Sequence, residues 1–213
     1  RANKGLHDFV FAQLQARSLM QPDLALLDIG CGTGAWLQRC QSAGLTRLTG
    51  LDLDTAQFGL TGIEAHAFNL DHYAGQQWGR FQVITALELI EHLSNPGHLL
   101  ALALQNLAPG GTLVISTPNI HSLPARLRFL LRGRLPHFDD KSDPTHVYPV
   151  YHENLERVAT RYGFRIRERI SFPEKGYGTF SGATATLSAL LKPLLHDPLP
   201  GDNLVYLLQR EEG

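Results

Sequence analysis

Three glycines, Gly30, Gly32 and Gly34, stand at alternate positions in the stretch LLDIGCGTGAWL (26–37). Glycine at this spacing removes the side chains that would hold a ligand off the backbone, and it permits positive φ. An acid, Asp28, stands just before the loop. A second acid, Asp52, can accept hydrogen bonds from both hydroxyls of a ribose. The loop lacks the Gly-Lys-Ser/Thr ending of a phosphate-binding loop, which argues against a nucleoside triphosphate. Gly30, Gly32 and Ala35 do satisfy the G-x-G-x-x-A pattern of dinucleotide binding, with Asp52 about twenty residues further on. The loop alone therefore leaves a dinucleotide open.

A second set of residues could move protons. Glu88, His92 and His146 are the candidate bases for an oxygen or nitrogen nucleophile. Glu88 and Glu91 are one turn apart if their segment is helical, and would then share a face. The loop HFDDKSDPTHVYP (137–149) collects Asp139, Asp140, Asp143 and His146, but at no recognised metal-ligand spacing. It reads as a solvated loop, and no metal is expected.

These residues need a frame, and the chain supplies one by alternating strand and helix signals. Leu24–Ile29 is a continuous apolar run before glycine, as in a buried parallel strand. Gly34–Ala43 is predicted helical, with Trp36, Leu37 and Cys40 on one face and Gly44 as its stop. Further strands are predicted at Arg47–Leu53, Glu64–Leu70, Phe81–Ala86, Thr112–Thr117, Phe164–Phe172 and Leu204–Gln209. Helices are predicted from Pro96 towards Ala108, with Asn95 as cap, and at Ser122–Arg132 and Glu153–Tyr162. This rhythm implies an α/β fold, a doubly wound and mostly parallel sheet of seven strands with helices on both faces. Such sheets bind ligands at the carboxyl ends of their strands. The whole chain, 1–213, reads as one domain with inserts at 119–150 and 173–202.

Composition sets outer limits. The 213 residues are 43% hydrophobic with a net charge of −1, which disfavours extended disorder and broad nucleic-acid binding. Two cysteines, Cys31 and Cys40, are too few for a disulfide framework and suggest a reducing compartment. The chain opens at Arg1 without a basic-then-apolar leader, and its most apolar run, Ala183–Leu195, is broken by Lys192 and Pro193. The expectation is a cytoplasmic protein with no transmembrane segment.

Four motifs in order narrow the cofactor. DIGCGTG (28–34), GLDLD (50–54), FQVITALELIEHLSNP (81–96) and LAPGGTLVISTPN (107–119) resemble the successive motifs of class I S-adenosylmethionine-dependent methyltransferases, in the group that includes ubiquinone-biosynthesis-type O-methyltransferases. HENLERVATRYGFRI (152–166) continues the resemblance through a last helix and sixth strand. The resemblance implies a Rossmann-like methyltransferase fold and S-adenosylmethionine as cofactor. Gly30, Gly32 and Gly34 would then seat the amino-acid end of the cofactor, with Cys31 as a small residue packed in that seat. Asp28 would meet the amino group and Asp52 the ribose. Leu53 would pack on the adenine, and Asn69, with Leu70 beside it, would meet the adenine amino group. Asp71 is the alternative for that contact. Ala86, Leu87 and Glu88 would line the methionine and methyl region.

The acceptor is less determined. The segment STPNIHSLPARLRFLLRGRLPHF (116–138) resembles the substrate cover of this group, and its arginines could face an anionic substrate, a membrane surface or water. The predicted acceptor is a small molecule or a glycan- or lipid-type molecule, methylated on oxygen or nitrogen. Peripheral membrane contact is compatible with the sequence, and a nucleic-acid partner is not expected. Two other functions remain: a nicotinamide oxidoreductase and a non-catalytic S-adenosylmethionine-binding module.

Overall fold

The computed structural model describes residues 3–178, 183–191, 195 and 199–211. Strand β1 (Ala25–Ile29) is buried at every position. Its side chains alternate between two cores, as the period-two geometry of a strand requires. Ala25, Leu27 and Ile29 face one core with residues of α3 (Pro96–Asn106) and α5 (His152–Arg161). Leu26 faces the other, with α1 (Leu6–Ala16) and α2 (Ala35–Ser42). Helices therefore cover both faces of the sheet, as expected.

The other strands are β2 (Arg47–Asp52), β3 (Glu64–Ala67), β4 (Phe81–Leu87), β5 (Leu107–Pro118), β6 (Phe164–Phe172) and β7 (Asn203–Arg210). Their order in the single seven-stranded sheet is β3-β2-β1-β4-β5-β7-β6. The first five run parallel, and β7 lies antiparallel between β5 and β6. Strand order reverses between β1 and β4, so a crevice opens at their carboxyl ends. Register places Asp28 beside Gly50 of β2 and Thr85 of β4.

Three local features depart from the sequence reading. Helix α1 carried no sequence signal that singled it out, yet it buries Leu6, Val10, Phe11 and Leu14 at one-turn spacing. Strand β3 ends at Ala67, because Asn69 accepts a hydrogen bond from Asp71 N at 3.0 Å and turns residues Leu70–His72 into a single 3₁₀ turn. Strand β5 begins at Leu107 rather than Thr112, since the Pro-Gly-Gly segment continues it through a register shift against β4.

The predicted cap at Asn95 is present. Asn95 Oδ1 accepts from Gly97 N at 3.0 Å, with Pro96 at the first position of α3. Ser122 caps α4 (Leu123–Arg132) through Ala125 N. Helix α4, in the segment 119–150, packs against α6 (Ala183–Leu191), in the segment 173–202. Residues 179–182, 192–194 and 196–198 of the second insert lie outside the described residues, as do parts of the Ala183–Leu195 run.

Candidate active site

The glycine loop leaves β1 at the crevice. Gly30 N and Cys31 N both donate to Leu51 O, at 2.7 and 3.0 Å, and tie the loop to β2. All three glycines have positive φ, and they serve different ends. A Cβ on Gly34 would stand 2.7 Å from Leu60 Cδ1 and 2.9 Å from Phe58 Cε2, so close packing by the following segment adds to the φ of 89° in favouring glycine here. A Cβ on Gly32 would meet nothing within 4 Å. Its open face lies on the cavity, where a ligand can approach the backbone. The thiol of Cys31 packs on β2, since its Sγ would lie 2.7 Å from a Cβ on Gly50. Burial pushes that thiol up to about 12, which makes it a small packing residue and not a redox group.

Two cavities flank this loop, and Gly30 lines both. The larger, about 670 Å³, is bounded by Asp28, Gly32, Leu87 and Glu88, with Asn3, Lys4 and His7 closing it from the amino-terminal side. The smaller, about 380 Å³, is bounded by Asp52, Leu53, Asn69, Leu70 and Asp71, with Leu89, His92 and Thr145 opposite. Leu53 is 70% exposed, an unusual state for leucine at a strand end and one that a flat apolar ring would cover. Asp52 Oδ2 accepts from Gly32 N at 2.7 Å and Oδ1 from Asp54 N at 3.1 Å. Each carboxylate oxygen keeps a further lone pair for a hydroxyl donor.

The expected cofactor residues do not all reach these cavities. Ala86 is fully buried in the core under the sheet and lines neither. Gly34 acts through packing, as above. Asn69 does line the smaller cavity, but its side-chain oxygen already caps Asp71 N. Asp71 lines the same cavity, and its Oδ1 accepts from Asn95 N at 3.4 Å. Asn3, Lys4 and His7 were missed. They precede every motif, and only the packing of α1 brings them over the loop.

Acids dominate the floor. Asp28 accepts from Thr85 Oγ1 at 2.6 Å. Burial, reinforced by the charge of Asp52, pushes its carboxyl up to about 7 despite that hydrogen bond. A cation in the larger cavity would relieve the cost. Glu88 sits in the left-handed region, with φ 53°, so the Glu88–Glu91 segment is not the helix whose face the two acids would share. Its carboxylate accepts from Ser116 Oγ at 2.8 Å and Asn203 Nδ2 at 2.7 Å, and burial pushes it up to about 6. Glu91 lies in a separate 3₁₀ turn, Ile90–His92. It is fully buried, neither of its oxygens has a hydrogen-bond partner among the described residues, and burial plus the charge of Glu88 holds its carboxyl well above the usual range.

His92 and His146, 54 residues apart in sequence, meet edge to face with ring centroids 4.6 Å apart. Burial, and then the neighbouring His146, lowers the pKa of His92. The segment that carries His146 is anchored here, because Val147 N and Tyr148 N both donate to Glu91 O at 2.9 Å. The acids of the same loop are used within it: Asp139 pairs with Arg128 at 2.5 Å, Asp140 with Arg134, and Asp143 accepts from Thr145 Oγ1 at 2.6 Å. Outside them, Phe129, Leu135, Phe138, Val147 and His146 border an open cleft.

With this geometry in place, similarity to known proteins is informative. The profile of a methyltransferase domain matches residues 4–169. A ubiquinone biosynthesis O-methyltransferase of Aromatoleum aromaticum is 31% identical over 103 residues, covering 44% of each chain. That of Nitrosococcus oceani is 32% identical over 103 residues, covering 44% of this chain and 43% of its own. These matches span less than half the length of the curated relatives. Among solved structures, an S-adenosylmethionine-dependent methyltransferase from Archaeoglobus fulgidus superposes with TM-score 0.61 at 20% identity, covering 96% of this chain and 94% of that one. The magnesium protoporphyrin IX methyltransferase of Synechocystis, solved with S-adenosylhomocysteine bound, gives TM-score 0.62 at 16% identity, over 96% and 82%. Those two likenesses establish the fold, while the profile match, over most of the chain and every cofactor motif, establishes the family. The chain belongs to the methyltransferase-domain family, in its S-adenosylmethionine-dependent class.

Proposed function

We propose that the protein binds S-adenosylmethionine across the two cavities and methylates an oxygen of a small-molecule acceptor. The observation that carries this reading is the paired cavity around Gly30. One half has a buried carboxylate, Asp28, suited to an ammonium group. The other has a ribose-type acid, Asp52, and an exposed apolar side chain, Leu53. A pyrophosphate would instead meet the Asp28 carboxylate, which disfavours a dinucleotide. Bound S-adenosylmethionine supplies an electrophilic methyl group on a sulfonium. The protein's own work is positional: Asp28 and the Gly32 backbone orient the amino-acid end, and Asp52, Leu53, Leu70 and Asn69 or Asp71 hold the nucleoside. Leu87 and Glu88 border the amino-acid half. Glu88, bordering the larger cavity, His92, bordering the smaller, and His146, at the outer cleft, are the candidate bases for the proton of the acceptor hydroxyl.

The acceptor enters, in this reading, through the cleft under α4. The two inserts shape that entrance, and grafting 119–150 and 173–202 onto a related enzyme should transfer acceptor preference; unchanged preference would count against it. Phe129, Leu130 and Leu131 are all largely exposed, and this supports an amphipathic or lipid-linked acceptor presented at a membrane surface. No described helix is long and apolar enough to cross a membrane. A cytoplasmic location remains part of the proposal.

Calorimetric titration with S-adenosylmethionine, S-adenosylhomocysteine and NAD tests the cofactor. The first two should bind and NAD should not. NAD binding without S-adenosylmethionine binding would overturn the reading. A methyl-transfer screen with labelled donor and phenolic, hydroxy-acid and amine acceptors tests the chemistry.

A further inference from the structure

We propose that Glu91, His92 and His146 form a binding site for a divalent transition-metal ion of the zinc class, between the nucleoside cavity and the outer cleft. One donor atom from each of the three lies within 4.8 Å of the other two. Donors around a tetrahedral zinc stand about 3.3 Å apart, so side-chain rotation of about an ångström or two closes the set.

The hydrogen bonds around the triad favour metal ligation over mutual packing. His146 Nδ1 lies 2.8 Å from His137 O. A carbonyl only accepts, so Nδ1 carries the proton and Nε2 keeps its lone pair for a metal. His92 Nδ1 lies 2.8 Å from Thr145 Oγ1, and that hydroxyl in turn donates to Asp143 Oδ1 at 2.6 Å. With its proton committed to Asp143, Thr145 accepts from His92, and His92 Nε2 is likewise free. The chain Asp143–Thr145–His92 is the outer support that metal-ligating histidines carry. Glu91 supplies the independent observation: a fully buried carboxylate whose two oxygens have no hydrogen-bond partner among the described residues, with one oxygen within 4.8 Å of a ring nitrogen of each histidine. An unpaired buried carboxyl is costly, and a cation bound between it and the rings removes that cost.

Two imidazoles and one carboxylate suit zinc, cobalt, nickel or iron better than magnesium or calcium, which prefer all-oxygen shells. Three protein ligands leave coordination positions open. The site faces both the nucleoside cavity, through His92, and the outer cleft, through His146. On the methyltransferase reading, an open position would take an acceptor oxygen and hold it towards the donor, with the hydroxyl proton released to water.

Cobalt(II) is the probe. Chelator-treated full-length protein titrated with Co²⁺ should take up one equivalent, with a visible absorption typical of nitrogen and oxygen ligands, and Zn²⁺ should displace it. E91Q and H146Q should weaken binding by at least about 100-fold. T145V, which leaves all three ligands, should weaken it about 10- to 100-fold. Loss of cobalt uptake in the wild type, or equal uptake in the wild type and H146Q, would overturn the site, the latter showing metal held by other histidines. A parallel S-adenosylmethionine titration of the metal-free protein separates the two claims. Cofactor binding without cobalt binding defeats the metal site alone, and cobalt binding without cofactor binding defeats the methyltransferase reading alone.

Discussion

Asp28 should make the empty protein less stable and the cofactor complex possible, and a single isosteric change separates the two effects. Its carboxyl is raised from 3.8 to about 7 by burial in the cavity floor. A carboxyl with a folded pKa above its unfolded value binds more protons when folded. Its contribution to stability is therefore complete below pH 4 and is lost as pH rises through 7. A difference of about three in pKa corresponds to about 4 kcal/mol as an upper figure. In Asp28→Asn the side-chain oxygen can still accept from Thr85, while the charge is gone. Denaturant unfolding without cofactor should show the variant and wild type nearly equal only below about pH 4, with the variant already ahead by about 1.5 kcal/mol at pH 5, where the unfolded carboxyl is ionised. At pH 8 the variant should be more stable by up to about 4 kcal/mol, or about 10 °C in melting temperature for a chain of this size. Glu88 and Glu91 titrate in both proteins, so the difference isolates Asp28. Cofactor affinity should move the opposite way. Wild-type affinity for S-adenosylmethionine should weaken about tenfold between pH 8 and pH 6, as Asp28 protonates. The variant should bind 10-fold or more weaker at pH 8, with that pH dependence removed, since a hydrogen bond to a charged group contributes about 1.5–3 kcal/mol. A variant that is less stable than wild type at pH 8, or that keeps the wild-type pH dependence of affinity, would refute the assignment of Asp28 as a buried ammonium partner.

Other changes test the loop and its frame. Gly34→Ala combines positive φ with contacts under 3.0 Å to Phe58 and Leu60; it should cost about 2–4 kcal/mol in denaturant unfolding, against about 1 kcal/mol for Gly32→Ala. Gly32→Ala should instead lose cofactor affinity in calorimetry, and equal effects on both readouts would show that the two glycines do the same job. Asn95→Ala removes the cap of α3 and should destabilise the protein by about 1 kcal/mol, with cofactor affinity unchanged. Asp52→Ala should weaken nucleoside binding with the domain still folded; a sharp fall in stability at unchanged affinity would make Asp52 structural.

Much of this was legible in the chain because parallel strands and glycine loops write local signals. The run Leu24–Ile29, the alternate glycines and the cap Asn95 act through neighbours in sequence, so residue type and spacing sufficed to place them. Strand β6 was predicted with the bounds it has. Helix α1 was missed because its apolar positions resemble many amphipathic stretches, and its partner surface, Trp36 and the loop, exists only after folding. Ala86 was over-read for the reverse reason: being next to Leu87 in a strand puts its side chain on the opposite face.

The sequence by itself determined the fold class, the cofactor class and the residues of the glycine loop, since these depend on backbone freedom and on contacts a few residues away. Only the tertiary structure decided which acids are paired and which are not. Glu88 found Ser116 and Asn203, on strands far away in sequence, while Glu91 found no partner for its oxygens among the described residues. It also brought His146 to His92 across 54 residues, because the loop after β5 folds back and pins its backbone to Glu91. Long-range juxtaposition of this kind follows from where the chain is buried, and no local spacing encodes it.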